Sequence, residues 1–200
     1  MPEPIRFDPV KLRGPWAEGY ALEKQHSLSS EFVGYDGNGN PIFEAVRSDL
    51  GELVFQLKNR NNRSAATDIA AVAAGFVTSK WAGLDMIVPV PPSRRRRTFQ
   101  PTEEIASDLG RKLRVPVRAD AVTKNRATPQ LKDISDPEER SKLLEGAFTA
   151  KRAVVGSKRV LLLDDLYRSG ATAGAVAHAL TAAGAASVFM LAITKTRTAT

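Results

Sequence analysis

Residues 160–172 read VLLLDDLYRSGAT and combine an apolar run, an acidic pair and a glycine-containing loop. The four apolar residues from Val160 to Leu163 predict a strand that is buried on both faces. Two carboxylates, Asp164 and Asp165, follow where this strand emerges. Because adjacent carboxylates repel each other, they require hydrogen-bond donors or a cation, and the vicinal hydroxyls of a ribose ring can donate to them.

The residues after the acidic pair predict a phosphate site. Ser169 and Gly170 lead into a helix predicted over residues 171–183, which Gly184 closes. Backbone N–H groups, the hydroxyls of Ser169 and Thr172 and the positive end of the helix dipole converge there. Carboxylates followed by a phosphate cradle predict a ribose phosphate as ligand. The alternative is a chance acidic pair beside an ordinary helix cap, whereas a nucleoside triphosphatase would need a Gly-Lys-Ser/Thr loop that this sequence lacks.

Strands and helices alternate on both sides of this stretch. Residues 86–91, 115–122 and 187–193 predict strands, and helices are predicted after Ser48 or Asp49, after Ser64 or Thr67, and from Pro101. A short helix is predicted to start at residues 136–139. This order predicts an α/β fold with a mainly parallel central sheet flanked by helices, whose ligands bind beyond the carboxyl ends of the strands.

The N-terminal residues have a different character. Residues 1–30 mix proline, glycine and charge, and they predict an irregular lead-in. Glu31–Tyr35 and Pro41–Val46 flank a turn rich in glycine and asparagine, so they predict a hairpin. The chain is therefore divided into an extension with a hairpin at residues 1–47, packed on a domain at residues 48–200.

Composition and charge limit the chemistry. The chain has 200 residues, no cysteine and two histidines, so any metal would be held by oxygen. No apolar run is long enough for a membrane span or a signal peptide, which predicts a cytoplasmic protein. The net charge is +7, and residues 94–126 carry ten basic and four acidic residues. This basic stretch predicts an anionic partner, either a phosphorylated small molecule or a nucleic acid, or else a solvated surface.

The VLLLDDLYRSGAT stretch resembles the motif that binds phosphoribosyl pyrophosphate (PRPP) in type I phosphoribosyltransferases. From about Ser48 to Thr194 the chain is further similar to the ComF-like branch of that family. The shared features occur in the same order: Leu57-Lys58, Pro89-Val90-Pro91, the arginine run with Phe99-Gln100, Gln130-Leu131, Arg140 and Gly146-Ala147-Phe148.

The resemblance implies a type I phosphoribosyltransferase-like fold with a small hood, drawn from residues 1–47 or 118–150. It implies a transferase of the glycosyltransferase class in nucleotide metabolism, which uses PRPP and Mg²⁺, releases pyrophosphate and acts on an unidentified nitrogen nucleophile. A homodimer is the family expectation.

The resemblance also implies roles for individual residues. Asp164 and Asp165 would hold the ribose hydroxyls, directly or through Mg²⁺-bound water, and would serve as the catalytic and metal-binding pair. The 5-phosphate would be held by Arg168, Ser169, Gly170, Ala171 and Thr172. The pyrophosphate would be held by Pro91, Pro92, Ser93, Arg96 and Arg97, because cationic groups stabilise the charge that grows on this leaving group.

Three departures from the family pattern are present, of which the first two keep a second function open and the third indicates a divergent subgroup. Arg168 stands where the motif usually has a small hydroxyl residue, Leu143 stands where ComF-like proteins commonly have asparagine, and the cysteines of an N-terminal zinc ribbon are missing. The second function is a catalytically weak or inactive PRPP sensor or regulator. Such a protein would bind nucleic acid or a protein partner through Arg94 to Arg97, in DNA uptake or processing.

Three remaining side chains need separate interpretations. Trp81 and Phe99 are expected to pack against the domain, with nucleic-acid contact as the alternative for Phe99 because of its arginine neighbours. His178 is expected to be partly buried or on the surface rather than to act as a base, since no acidic residue lies three or four positions away.

Overall fold

A five-stranded sheet forms the centre of the protein, as described by a computed structural model for residues 4–92, 99–126 and 143–196. The strands are β1 Val10–Lys11, β2 Glu18–Glu23, β3 Ser27–Tyr35, β4 Pro41–Arg47, β5 Met86–Pro89, β6 Val122–Lys124, β7 Phe148–Ala150, β8 Arg159–Tyr167 and β9 Ser187–Lys195. The helices, numbered here in order, are α1 Asp49–Asn59, α2 Ser64–Lys80, α3 Pro101–Leu113, α4 Arg152–Val155 and α5 Ala171–Ala182.

The central sheet has the strand order β1-β2-β9-β8-β5. Its last four strands run parallel, and only β1 is antiparallel to its neighbour. The carboxyl ends of β2, β9, β8 and β5 therefore meet at one edge. The predicted α/β fold with a mainly parallel sheet is confirmed.

Helices cover both faces of this sheet. The side chains of β8 alternate between the two layers, as the period of a strand requires. Val160 and Leu162 pack in the cluster that contains the buried face of α5, whereas Leu161 and Leu163 pack in the cluster that contains α1, α2 and α3. All four residues are fully buried, which explains why the strand is an unbroken apolar run rather than an alternating one.

The predicted irregular lead-in at residues 1–30 is wrong in its second half. Residues 18–23 form β2, which pairs in parallel with β9 inside the central sheet, and Ala21 and Leu22 are fully buried. The sequence of β2 contains glutamates and a glycine, which weaken a strand prediction based on composition. Pairing with the apolar strand β9 decides the conformation. The division of the chain at residue 47 stays a prediction.

The predicted hairpin is confirmed in β3 and β4, which pair with each other as a separate two-stranded sheet. Most of its residues are exposed, including Phe32, Tyr35 and Phe43. The ring of Phe32 contacts the rings of Tyr35 and Phe43 edge to face, with centroid distances of 5.1 and 5.9 Å. The hairpin is thus held by local contacts.

The predicted strand at residues 115–122 forms only in part. Val117 makes an isolated parallel bridge to Ile87, and the regular strand β6 begins at Val122 and pairs with β7. The helix expected from residues 136–139 lies outside the described residues. No helix in the described part of the chain is long and apolar enough to span a membrane.

Candidate functional site

The acidic pair lies at the carboxyl edge of the central sheet, where β8 continues through both carboxylates to Tyr167. Alternation along the strand places Asp164 on the side of the α5 layer and Asp165 on the side of the α1–α3 layer. The two adjacent residues therefore face different surroundings.

Asp165 is held by a lysine from a remote helix. Nζ of Lys58, in the last turn of α1, donates to Oδ1 of Asp165 at 2.7 Å. The pair is largely shielded, since the side chains of Lys58 and Asp165 are 22% and 11% exposed. Thr194 of β9 also donates through its hydroxyl to the backbone carbonyl of Asp165, at 3.3 Å. Lys58 was identified from the sequence only through the resemblance to the ComF-like pattern. Its contact with Asp165 was not predicted, because 107 positions separate the two residues.

Asp164 is in a less favourable setting for a charge. Burial of its carboxyl group, followed by the negative charge of Asp165, raises the pKa of Asp164 from 3.8 to about 7. Lys58 and the backbone N–H groups of Asp165 and Leu166 oppose this change, and the N–H of Asp165 donates to Oδ1 of Asp164 at 2.9 Å. Asp164 is thus protonated more easily than an aspartate in water.

The loop after the carboxylates has the geometry of an anion cradle. Arg168 and Ser169 are exposed, and Gly170 caps α5 with φ of 78°. The carbonyl of Gly170 accepts from the N–H of Gly174 at 2.7 Å. The N–H groups of Ala171 and Thr172 lie in the first turn of α5, where N–H groups have no acceptor within the helix. A Cβ at Gly170 would collide with the hydroxyl of Tyr167. Glycine is therefore required here by conformation and by space.

Residues of an N-terminal segment pack against Tyr167 and against the first turn of α5. The ring of Trp16 lies edge-on against Tyr167, with centroids 6.4 Å apart, and its Nε1 donates to the carbonyl of Leu12 at 3.1 Å. Pro15 approaches Gly174 in the first turn of α5. No local pattern in the sequence indicates that residues 15 and 16 contact residues 167 and 174, so this contact was not predicted.

His26 lies at the edge of the same site. Its Nδ1 is 3.2 Å from the hydroxyl of Thr194, which in turn contacts the backbone of Asp165. Burial, followed by the positive charges of Lys58 and Arg47, lowers the pKa of His26, and Asp165 partly opposes this effect. These effects favour the neutral form of the imidazole. This histidine was also missed by sequence reasoning, because 168 positions separate it from Thr194.

The structure describes two of the five residues that are predicted to bind pyrophosphate. Pro91 and Pro92 are half-buried and border a cleft of about 400 Å³ beyond the end of β5. Its walls also include Glu103, Asp120, Lys124 and Lys151. Ser93, Arg96 and Arg97 lie outside the described residues, together with Arg94 and Arg95. Their role stays a prediction.

Asp120 in the wall of this cleft is paired with two cations, of which Lys151 also lines the cleft. Asp120 accepts from Nε of Arg118 at 2.9 Å and from Nζ of Lys151 at 3.4 Å, and the bond from Arg118 holds the pKa of Asp120 well below its usual range. Burial lowers the pKa of Lys124. The cleft therefore offers an anion a mixed lining rather than a purely basic one.

The carboxylates of Asp164 and Asp165 could hold Mg²⁺ only together with oxygens of a bound ligand. Among the described residues, no group of three or more histidine, aspartate or glutamate side chains is arranged to hold a metal ion. Mg²⁺ usually keeps several waters and is bound by one or two carboxylates together with substrate phosphates. Asp164 and Asp165 can supply those carboxylates, so the ion would require oxygens from a bound phosphorylated ligand.

Burial and contacts describe three further side chains, and nucleic-acid contact by Phe99 stays a prediction. Trp81 is buried and donates through Nε1 to Glu18 at 2.8 Å, which confirms a packing role. Phe99 is half-buried and lies under the guanidinium of Arg63, 4.8 Å from the ring centroid, so it packs against α2. His178 is exposed, one of the two positions expected for it.

No known protein-family model matches this chain, and no curated protein sequence matches it. Solved structures do. A glutamine PRPP amidotransferase from B. subtilis, complexed with ADP and GMP, aligns with a TM-score of 0.50 and 17% identity over 78% of this chain and 34% of its own. An adenine phosphoribosyltransferase from Leishmania tarentolae aligns with a TM-score of 0.49 and 13% identity over 94% of each chain.

The similarity concerns the fold. The chain spans about a third of the amidotransferase that it matches, and the identity is too low to carry over an activity. The shared features are the parallel sheet and its flanking helices. This chain therefore has the α/β fold of the type I phosphoribosyltransferases.

Proposed function

We propose that this protein binds PRPP together with Mg²⁺ and transfers the phosphoribosyl group to a nitrogen nucleophile, with release of pyrophosphate. One observation carries the proposal: the carboxylates of Asp164 and Asp165 and the glycine-capped start of α5 adjoin each other at the carboxyl edge of β8. This edge is where ligands bind in parallel α/β sheets. The spacing suits a ribose bearing a 5-phosphate.

Each part of the ligand has a physical counterpart. The ribose hydroxyls would donate to Asp164 and Asp165, which accept hydrogen bonds through several lone pairs. The 5-phosphate would accept from the N–H groups of residues 170–172, with help from the hydroxyls of Ser169 and Thr172 and the helix dipole. Arg168 is an exposed residue, and its guanidinium would pair with a phosphate oxygen in place of the small hydroxyl residue usual in the family.

The reaction breaks the bond between C1 of the ribose and pyrophosphate and forms a bond between C1 and the nucleophile nitrogen, which loses a proton. The ribose becomes cationic and the leaving group gains negative charge as the bond breaks. The carboxylates of β8 stabilise the first charge, and the predicted arginines after Pro92 would stabilise the second. When bound, Mg²⁺ supplies further positive charge at the pyrophosphate oxygens.

Arg168 favours a second candidate function. If its bulk replaces a phosphate donor without restoring the geometry, the site would bind PRPP without turnover, as a sensor or regulator. The arginine run that would engage a nucleic acid or protein partner in that case lies outside the described residues. The two functions differ in one measurable respect, which is whether pyrophosphate is released.

Calorimetry with PRPP, with and without Mg²⁺, tests the proposed site. We expect metal-dependent binding by the wild type and at least about a 100-fold loss of affinity in the double variant Asp164→Asn, Asp165→Asn, because two acceptors of the ribose hydroxyls are removed. Glu44→Gln, an exposed carboxylate of the hairpin, is the matched control and should bind as the wild type does.

A pyrophosphate-release assay on the same proteins separates enzyme from sensor. Release by the wild type, lost in Asp165→Asn, supports the transferase. Binding without release supports the sensor. Equal binding by wild type and double variant would contradict the assignment of the site to β8.

A further inference from the structure

Lys58 lies beside the carboxylate pair and contacts one of its members. Its ammonium group lies 2.7 Å from Oδ1 of Asp165, and both side chains are mostly shielded from water. A charge pair in such surroundings is screened little by salt. We propose that Lys58 is a built-in counter-cation, which allows the ribose 5-phosphate half of PRPP to bind without a divalent ion, so that only the pyrophosphate half requires Mg²⁺. This inference rests on the proposed function.

The electrostatic need for such a cation arises from the acidic pair itself. Two ionised carboxylates on adjacent residues repel each other, and burial makes each charge costly. Backbone N–H groups offset part of the charge on Asp164, and Lys58 offsets the charge on Asp165. The site therefore carries less negative charge than two aspartates suggest, which lowers its demand for a metal ion.

The helix that carries Lys58 is fixed at its other end. Ser48 caps α1 by accepting from the N–H of Gly51 at 3.1 Å, and its hydroxyl donates to the carbonyl of Gln25 at 2.9 Å. A Cβ at Gly51 would collide with the carbonyl oxygen of His26, so α1 lies in close contact with the chain that leaves β2.

The buried face of α1 adds to this restraint. Leu57, next to Lys58, is fully buried together with Leu50 and Val54. Lys58 lies in the last turn of α1, where a cation interacts favourably with the negative end of the helix dipole. The backbone of Lys58 is thus held in place by the packing of α1. Its side chain is already bound to Asp165, so a ligand needs to order it little further.

The contact also leaves room for the ligand. A carboxylate accepts hydrogen bonds through two oxygens, so a lysine on Oδ1 of Asp165 is compatible with a ribose hydroxyl on Oδ2. By holding Oδ1, Lys58 orients the second oxygen. Lys58 is therefore a positioning residue that acts through Asp165.

Calorimetry with ribose 5-phosphate as the probe tests this role, because this compound lacks the pyrophosphate that chelates Mg²⁺. The proteins are the wild type, Lys58→Met, Lys58→Arg and the control Lys112→Met. Lys112 is an exposed lysine in the last turn of α3, so its replacement removes the same charge from an equivalent position on another helix. Each titration is made in excess MgCl₂ and in EDTA, and thermal unfolding of each variant checks that it folds.

The wild type and Lys112→Met are expected to bind ribose 5-phosphate equally well with and without Mg²⁺. Lys58→Met is expected to lose about tenfold in affinity in EDTA, because Asp165 then has no fixed counter-charge, and to recover part of it in MgCl₂. Lys58→Arg keeps the charge and should bind in EDTA more tightly than Lys58→Met.

Two results would overturn the inference alone: a wild type that binds ribose 5-phosphate only with Mg²⁺, or a folded Lys58→Met that binds in EDTA as the wild type does. If Lys58→Met does not fold, the inference is still tested by the affinity of Lys58→Arg in EDTA and by the metal dependence of ribose 5-phosphate binding to the wild type. A wild type that binds neither ribose 5-phosphate nor PRPP overturns the proposed function as well.

Discussion

The carboxyl end of β8 and the β3–β4 hairpin differ in which kind of side chain they shield from water. At the end of β8 a charged pair is shielded from water, whereas the hairpin exposes the aromatic rings of Phe32, Tyr35 and Phe43. The charges at β8 are stabilised by residues far away in the sequence, of which Lys58 is the clearest. The rings of the hairpin contact each other within a few residues of one turn. The shielded charges at β8 therefore depend on contacts across the whole fold, whereas the exposed ring contacts of the hairpin depend only on the two strands and their turn.

Two glycines with nearly the same backbone conformation offer the strongest test of this difference. Gly170 at the phosphate loop has φ of 78° and Gly39 in the hairpin turn has φ of 80°. Only Gly170 has a neighbour that a Cβ would strike, the hydroxyl of Tyr167. We expect Gly170→Ala to weaken PRPP binding on the order of 10- to 100-fold and to lower the free energy of unfolding by about 1 to 3 kcal/mol, through strain and displacement of the loop.

Gly39→Ala is the matched control. It should cost about 1 kcal/mol for the left-handed conformation and leave PRPP binding unchanged. Calorimetry and urea unfolding measure both quantities. Equal losses of affinity in the two variants would show that the phosphate loop has no special requirement for close approach.

The second test concerns pH. The raised pKa of Asp164 means that the folded state binds a proton more tightly than the unfolded state, where the pKa is near 3.8. Stability from this group is therefore largest at low pH and falls as the pH rises from about 4 to about 7, then stays constant. Asp164→Asn removes this loss, and we expect it to raise the free energy of unfolding at pH 8 by about 1 to 2 kcal/mol relative to the wild type.

Urea unfolding of wild type and Asp164→Asn at pH 5 and at pH 8 measures this effect. The advantage of the variant should be smaller at pH 5. Glu44→Gln in the exposed hairpin is expected to change stability by less than about 0.5 kcal/mol at either pH. An Asp164→Asn variant that is less stable than the wild type at pH 8 would contradict the assigned environment.

The smallest effect is expected in the hairpin itself. Phe32 and Phe43 are 51% and 60% exposed, so the double variant Phe32→Ser, Phe43→Ser should lower the free energy of unfolding by less than about 1 kcal/mol. The contrasting change is Leu163→Ala on β8, which is fully buried and should cost about 2 to 5 kcal/mol. PRPP binding by the hairpin variant should equal that of the wild type. Lost binding would instead place the hairpin in the site.

Much of the fold followed from local patterns. The hairpin, the helices at residues 49–59, 64–80, 101–113 and 171–182, and the strands that carry the apolar runs were predicted because each has a period or a turn of its own. The strand β2 was not, because its residues favour no strand until β9 pairs with them. Of the predicted strand at residues 115–122, only the bridge of Val117 to Ile87 and the first residue of β6, Val122, formed.

By itself, the sequence determined the order of strand, carboxylates, glycine loop and helix at residues 160–172, because these neighbours are joined covalently and their spacing alone sets the geometry. The tertiary structure alone decided which residues meet that stretch from elsewhere: Lys58 on Asp165, His26 on Thr194 and Trp16 on Tyr167. Such contacts depend on how distant elements are registered in the sheet and its layers. No local period contains that information, and the charges on the buried carboxylates depend on it.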